Sequence, residues 1–202
     1  MDSIQQPKAP EQAAPQAPAP KKSAMRTVWE FVRFALTVAI VVLGVRLFVA
    51  QPFIVSGASM VPTFQDKNYL IIDELTYRFR EPHRGDVIVF RPPFNESTYY
   101  IKRIIGLPGE TVSVENGIVT IVNAEHPDGM TLSETYVAAD EGEDHAVTVP
   151  EGQYFVMGDN RPASYDSRKW GTLPKENIIG RALFRLYPFD AIAVLPGEHV
   201  QY

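Results

Sequence analysis

The chain has 202 residues, 45% of them hydrophobic, which is enough for one globular domain of ordinary size with its own core. It contains no cysteine, so disulfides, thiolate metal sites and a cysteine nucleophile are excluded. The net charge of −5 divides into +3 over residues 1–50 and −8 over residues 51–202. The acidic larger part argues against nucleic acid as a partner, and the basic start argues for a membrane orientation signal.

Residues 1–26 are predicted to form a disordered tail on the cytoplasmic side of a membrane. Pro, Ala and Gln dominate the first 23 of these residues. Such a composition buries too little apolar surface to offset the entropy of the chain.

Residues 27–50 are predicted to form a transmembrane anchor. Residues 34–45 are 12 positions without a charge, whereas a full span needs about 20 apolar residues. The segment reaches that length if Arg33 and Arg46 extend toward the two interfaces. The alternatives are a signal peptide that is removed and a buried helix of a soluble protein. The anchor is favoured because the preceding tail is long for a signal peptide.

The orientation of this anchor follows from the cations before it and in its first turns. Basic residues on the N-terminal side of a span favour a cytoplasmic N-terminus. The remaining residues, 51–202, are therefore expected to form an extracytoplasmic domain. The cations are Lys21, Lys22, Arg26 and Arg33.

The extracytoplasmic part is predicted to be mainly β, because short β-rich runs alternate with turn residues. Glu115-Asn116-Gly117 is a hairpin signal between two of these runs. Residues 123–145 are polar and poorly patterned, and they are predicted to form a surface insertion outside the core. The predicted strands are residues 69–75, 86–90, 99–107, 111–114, 117–122, 146–149, 153–157 and 178–186.

The four histidines are scattered without ligand spacing, so we expect surface residues and no metal site. They are His83, His126, His145 and His199.

The first candidate site stretch is Ser56-Gly57-Ala58-Ser59-Met60-Val61-Pro62-Thr63, which directly follows the apolar segment. Its small residues leave room for another chain to lie close to the backbone, as a peptide substrate requires. Ser59 is the hydroxyl placed among them. Taken alone, this stretch is more typical of an ordinary Gly/Ser turn at the end of a helix.

The second stretch contains Lys102 within an apolar strand, followed by Arg103. Side chains alternate along a strand, so one of these two cations is expected to point inward. A buried lysine loses hydration, which lowers its pKa. A neutral amine can take a proton from a serine hydroxyl. For an isolated lysine, an edge position with an exposed ammonium is the commoner arrangement.

The third stretch, residues 158–168, follows a predicted strand and is predicted to form a hydrogen-bonded turn. Its charged residues can pair with each other in two sets of opposite charge, and Ser164 and Ser167 add hydroxyl groups. The charged residues are Asp159, Arg161, Asp166 and Arg168.

Together the three stretches resemble bacterial type I signal peptidases, which are membrane-bound serine proteases with a serine–lysine pair. The resemblance extends from the anchor to about Leu186. Its motifs are Ser59-Met60-Val61-Pro62-Thr63, Gly85-Asp86-Val87, Lys102-Arg103 through Gly109, and Gly158-Asp159-Asn160-Arg161 with Ser164, Asp166, Ser167 and Arg168.

The resemblance implies a role for each matched residue. Ser59 corresponds to the nucleophile, Lys102 to the general base and Ser164 to the hydroxyl that holds the lysine. Asp166 and Arg168 correspond to a supporting ion pair. The implied fold is an antiparallel β catalytic body with a smaller variable insertion, preceded by one N-terminal transmembrane helix. No metal or cofactor is implied.

Substrate binding is expected along residues 52–56, by addition of the substrate as a β-strand. Candidate pocket residues are Phe53, Ile54, Ser56, Met60, Tyr100 and Ile101, for each of which ordinary core packing is the alternative. Some family members carry a serine two positions before the nucleophile, where this chain has Gly57. The backbone N–H of Ser59 is therefore the expected oxyanion donor.

These features predict an endopeptidase that removes signal peptides from exported pre-proteins at the outer face of the cell membrane. The expected partners are such pre-proteins and the lipid bilayer. One alternative is a related serine–lysine protease that cleaves itself or a regulator, against which the apolar segment counts. The other is an inactive, membrane-tethered peptide-binding domain, against which the intact Ser59, Lys102 and Ser164 count.

Overall fold

The computed structural model describes residues 24–48, 50–137 and 144–197. The predicted tail up to residue 23, residues 138–143 of the predicted insertion and His199 lie outside them. Of these described residues, those up to Val41 and those from Val42 onward belong to two compact units. In chain order the elements are α1 (Ala24–Phe48), β1 (Ala50–Ile54), β2 (Tyr69–Asp73), β3 (Val87–Phe90), β4 (Tyr100–Gly106), β5 (Thr111–Glu115), β6 (Ile118–Val122), β7 (Met130–Thr131), β8 (His145–Thr148), β9 (Gln153–Met157), α2 (Ser167–Trp170), β10 (Leu173–Pro174), β11 (Ile178–Tyr187) and β12 (Ala193–Val194).

Helix α1 contains the apolar segment. Its residues Met25–Gly44 are long and apolar enough to cross a membrane, by length and composition, and none of that stretch is buried inside the protein. Arg26 and Glu30 form an ion pair one helical turn apart, with Nε and Oε1 3.2 Å from each other.

The larger sheet has eight strands, in the order β1-β2-β11-β3-β4-β9-β10 with β12 paired to β11. All its pairs are antiparallel. Strand β1 is at one edge of the sheet, and it leads directly into the Ser59 stretch. Strands β3 and β4 pair with Ile88 opposite Lys102, so the lysine lies in the middle of the sheet. The fold is therefore mainly antiparallel β, as predicted.

The smaller sheet has four antiparallel strands in the order β7-β6-β5-β8. The hairpin between β5 and β6 turns at Asn116 and Gly117, whose φ angles of 50° and 77° are those of the predicted turn.

The prediction that residues 123–145 lie outside the core is wrong for part of this segment. Strand β7 pairs with β6, and Leu132 is buried against the interior strands of the small sheet. His145 is half-buried and stacks on Phe155, with ring centroids 5.6 Å apart. Because the segment is mostly polar, its composition did not indicate these buried contacts. His83 and His126 are exposed, as expected.

Strands β3 and β4 are covered on both faces. Val87 and Val89 belong to one buried cluster, with Leu70 and Ile72 of β2. Ile88 and Phe90 belong to a second cluster, which also contains Ile104, Val156 and Leu173. A strand covered in this way buries the side chains of both alternating sets.

Candidate active site

Ser59 is held by hydrogen bonds to the third stretch. Asn160 donates its backbone N–H to the Ser59 carbonyl and its Nδ2 to the Ala58 carbonyl, each at 3.0 Å. Gly57 donates its N–H to Asp66 Oδ1 at 3.0 Å and has a φ of 95°, a conformation that favours glycine. Two segments about 100 residues apart in the chain therefore fix the turn that carries the hydroxyl.

Lys102 is buried beside this hydroxyl. Its Nζ lies 2.7 Å from Ser59 Oγ and 2.9 Å from the Ile101 carbonyl oxygen. Burial lowers the pKa of Lys102 to about 8, although the charges of Asp166 and Asp159 oppose the shift. At that pKa the amine is partly neutral near neutral pH, and a neutral amine at this distance can accept the Ser59 proton.

Both cations of β4 are buried, whereas the sequence predicted only one. Arg103 is fully buried, and its guanidinium binds Asp159 through Nε at 2.8 Å and Nη2 at 2.6 Å. Both side chains are buried because other residues cover β4 on both of its faces. Burial alone lowers the pKa of Arg103, but its hydrogen bonds to Asp159, together with electrostatic interactions with Asp159, Tyr136 and Glu134, raise it.

Ser164 lies next to the dyad, but its predicted hydrogen bond to Lys102 is absent from this structure. Its Oγ is buried and has no hydrogen-bond partner among the described residues. The Lys102 amine instead uses the Ile101 carbonyl. Gly158 lies so close to Ser59 and Ser164 that a Cβ on it would collide with both the Ser164 Oγ and the Ser59 carbonyl oxygen. The absence of a side chain at Gly158 is therefore a condition for this packing.

Asp166 and Arg168 form the predicted ion pair, at 2.9 Å from Nε to Oδ1. The fully buried Asp166 also accepts the Gly158 N–H at 3.0 Å. Arg168 donates Nη2 to the Arg161 carbonyl at 2.7 Å. The pair thus holds both ends of the turn that contacts Ser59.

The second predicted pair, within residues 158–168, is wrong. Asp159 binds Arg103, and Arg161 binds Glu134 of the predicted insertion, with Nη2 and Oε1 2.5 Å apart. Tyr136 donates its hydroxyl to the same Glu134 at 2.8 Å, and its ring lies 4.0 Å from the Arg103 guanidinium.

The segment between β7 and β8 therefore contributes Glu134 and Tyr136 to the surroundings of the site, and the sequence did not predict this. The position of Arg103 beside Lys102 on a two-faced strand was an available signal for that residue. Nothing in the local pattern singled out Glu134 or Tyr136.

A cavity of about 480 Å³ opens beside Ser59 and Lys102. Five of the six predicted pocket residues line it, namely Phe53, Ile54, Ser56, Tyr100 and Ile101. Met60 does not, because it is buried in the core with Val55 and Phe64. The Met60 side chain is 1% exposed, so it packs inside the protein and does not reach the cavity.

The backbone N–H of Ser59 faces no acceptor among the residues that the structure describes. Ser59 itself lines the cavity. An unused donor at the nucleophile can bind an oxygen that develops negative charge during attack.

Known proteins are similar to this chain over most of its length. Residues 28–187 match the family described as "Signal peptidase, peptidase S26". "Probable signal peptidase I-1" of Synechocystis sp. is 40% identical, over 83% of this chain and 89% of that protein. "Signal peptidase I" of Leptolyngbya laminosa is 37% identical, over 94% of this chain and 91% of that protein.

A crystal structure of a signal peptidase I from Enterococcus faecalis V583 is 38% identical and covers 50% of this chain and 97% of that chain, with a TM-score of 0.43. The family match and the two relatives carry the assignment. The chain therefore belongs to the signal peptidases of the peptidase S26 family.

Proposed function

We propose that the protein is a membrane-anchored serine endopeptidase in which Ser59 is the nucleophile and Lys102 the general base. Its family membership makes it a hydrolase of the signal peptidase I type. The observation that carries the residue assignment is the 2.7 Å contact between Lys102 Nζ and Ser59 Oγ at the cavity wall.

In the proposed acylation step, neutral Lys102 takes the Ser59 proton while Ser59 Oγ bonds to the scissile carbonyl carbon. The resulting ammonium then gives the proton to the departing amine, and the C–N bond breaks. The neutral amine and the acyl-enzyme remain. The Ile101 carbonyl, 2.9 Å from Nζ, holds the lysine in position throughout.

In the proposed deacylation step, Lys102 takes a proton from a water molecule that attacks the ester carbon. The bond to Ser59 Oγ breaks, and the proton returns to that oxygen. In both steps the Ser59 N–H stabilises the oxyanion. Asp166, Arg168 and the turn at Gly158 keep the Ser59 carbonyl, and with it the nucleophile, in place.

The substrate proposed for this site is the signal peptide of an exported pre-protein. Strand β1 lies at a sheet edge, so an extended peptide can pair with it by β-augmentation. The cavity that follows β1 is lined by Phe53, Ile54 and Ile101. It would receive small side chains of the Ala-x-Ala kind before the cut.

The proposed location is the cell membrane, with the N-terminus in the cytoplasm and the catalytic body outside. The unburied apolar stretch Met25–Gly44 of α1 supports a single-pass anchor. The basic residues before it support this orientation.

The test is incubation of the purified full-length protein, in detergent or vesicles, with a pre-protein carrying an Ala-x-Ala site. We expect one cut directly after that site, mapped by N-terminal sequencing of the product. Ser59→Ala and Lys102→Arg should not cut. Binding of the pre-protein without cleavage by the unmodified protein would instead indicate a peptide-binding domain, and cleavage only of its own chain would indicate a self-cleaving protease.

A further inference from the structure

Two exposed aromatic side chains meet at the rim of the catalytic cavity. Phe94, in the loop between β3 and β4, is 50% exposed, and Tyr165, beside Ser164, is 53% exposed. Their rings meet edge to face with centroids 5.5 Å apart. Phe94 also packs against Tyr100 at 5.9 Å and Trp170 at 6.0 Å, so the pair is fixed from below.

This aromatic pair is close to the reacting atoms. Tyr165 and Tyr100 line the same cavity as Ser59 and Lys102. The Tyr100 ring centre lies 5.5 Å from Lys102 Nζ, and the Phe94 ring packs against Tyr100. Tyr165 of the pair therefore borders the cavity in which a scissile bond would meet Ser59, and Phe94 packs directly against Tyr165.

The pair lies on one particular side of the nucleophile. Tyr99, directly before β4, contacts Phe53 of β1 at 5.1 Å between ring centres, and Ile101 of β4 packs against the same cluster as Phe53. Tyr100 and Lys102 leave β4 on the opposite face, where Phe94 and Tyr165 are found. If the part of the substrate before the cut pairs with β1, the part after the cut leaves along the Phe94–Tyr165 side.

We propose that Phe94 and Tyr165 form a binding subsite for an apolar side chain within the first two residues after the cut. The proposal rests on the proposed function, because it needs cleavage at Ser59 and pairing of the substrate with β1. Two half-exposed ring surfaces offer apolar contact area and positive ring edges, and both favour an apolar or aromatic side chain. Side chains alternate along an extended peptide, so one of the first two positions faces the pair.

The experiment uses three pre-proteins that differ only after the cut, where they carry Ala-Ala, Leu-Ala or Ala-Leu. For the unmodified full-length enzyme, we expect kcat/KM for one of the two leucine substrates to exceed that for Ala-Ala by about 5- to 10-fold. Phe94→Ala and Tyr165→Ala should each reduce this ratio to within about twofold of one. Tyr165→Phe keeps the ring and should keep the preference. Phe79→Ala removes an aromatic side chain that is 83% exposed and lines a different cavity, and should also keep it.

The outcomes separate the subsite from the proposed function. Normal cleavage with equal kcat/KM for all three substrates overturns the subsite and leaves the proposed function in place. The subsite is also overturned if Phe94→Ala and Tyr165→Ala keep the leucine preference. If no pre-protein is cut by the unmodified enzyme, both proposals fail together.

Discussion

Lys102 and Arg103 are consecutive residues of β4 that are both buried, yet only Arg103 binds a carboxylate. Arg103 holds Asp159 through two nitrogens, whereas Lys102 contacts the neutral oxygens of Ser59 and Ile101. A buried cation with a direct counter-ion keeps its charge, and one without a direct counter-ion tends to lose it. One strand thus supplies a permanent structural cation and an amine that can act as a base.

The first prediction concerns the dependence of activity on pH. Because the pKa of Lys102 is lowered to about 8, its neutral fraction is about one-tenth at pH 7 and about nine-tenths at pH 9. We expect kcat/KM to rise about tenfold between these pH values and then level off. The measurement is the initial rate on a pre-protein whose cleavage region contains no titrating side chain. A rate that is constant from pH 6 to 9 would contradict the assignment of the base.

The second prediction compares the stabilities of two variants, Lys102→Met and Arg103→Met. The lowered Lys102 pKa means that its charged form destabilises the fold below pH 8, so Lys102→Met should raise the free energy of unfolding at pH 7 by about 1–3 kcal/mol. Arg103→Met removes the counter-ion of the buried Asp159, to which only the Thr63 hydroxyl still donates among the described residues, and should cost about 3–5 kcal/mol.

The stability gain of Lys102→Met should also depend on pH. Above pH 8 the folded protein holds fewer protons than the unfolded chain, so the unmodified protein gains stability as pH rises toward 10.5. The advantage of the methionine variant should therefore shrink over that range. Thermal unfolding of the full-length chain in detergent, followed by circular dichroism, measures both effects. Equal destabilisation by the two substitutions at pH 7 would show that Lys102 is a structural cation like its neighbour.

The third prediction concerns Gly158. An alanine there would collide with the Ser59 carbonyl and the Ser164 hydroxyl, so the turn that carries the nucleophile must move. Displacement of a reacting group by about 1 Å can cost about 100-fold in rate, and we expect at least that loss in kcat/KM. Gly44→Ala, in helix α1, is the control, because its Cβ meets no atom within 4 Å and its backbone has no positive φ. Comparable activity of the two alanine variants would mean that the close approach at Gly158 is not needed.

The fourth prediction concerns Glu134, in the segment between β7 and β8. Arg161 is almost fully buried and pairs with Glu134, so Glu134→Gln leaves a buried guanidinium without its charged partner. We expect a loss of about 3 kcal/mol in the free energy of unfolding, together with reduced activity, because Arg161 also supports the Gly158 turn. Glu125→Gln, at an exposed position between β6 and β7, should change stability by less than about 0.5 kcal/mol. Similar stability of these two variants would show that Glu134 does not stabilise the site through Arg161.

Local pattern predicted most of the strands, because β-rich runs and turn residues are properties of short segments. Strand β9 has its predicted bounds, and β3 and β4 are each one residue shorter at one or both ends. The placement of β11 between β2 and β3 was not predicted. It depends on contacts between residues more than 80 positions apart, which no local pattern contains.

The structure brings Ser59 Oγ and Lys102 Nζ to 2.7 Å and forms the Asp166–Arg168 pair, while the catalytic roles stay predictions. Sequence and structure differ where a partner comes from a distant segment. Asp159 was expected to pair within its own turn, but it binds Arg103 from β4. Met60 was expected in the pocket, with core packing as the alternative, and its side chain is buried in the core with Val55 and Phe64.

The most direct test of the account is the rate of pre-protein cleavage by Ser59→Ala. The substitution removes one hydroxyl oxygen beside an open cavity, so the variant should fold with an unchanged circular dichroism spectrum. Ser113→Ala removes an exposed hydroxyl of the small sheet and controls for handling. We expect full cleavage by the unmodified protein and by Ser113→Ala, and none above background by Ser59→Ala. Cleavage at the normal site by a folded Ser59→Ala protein would contradict the central claim.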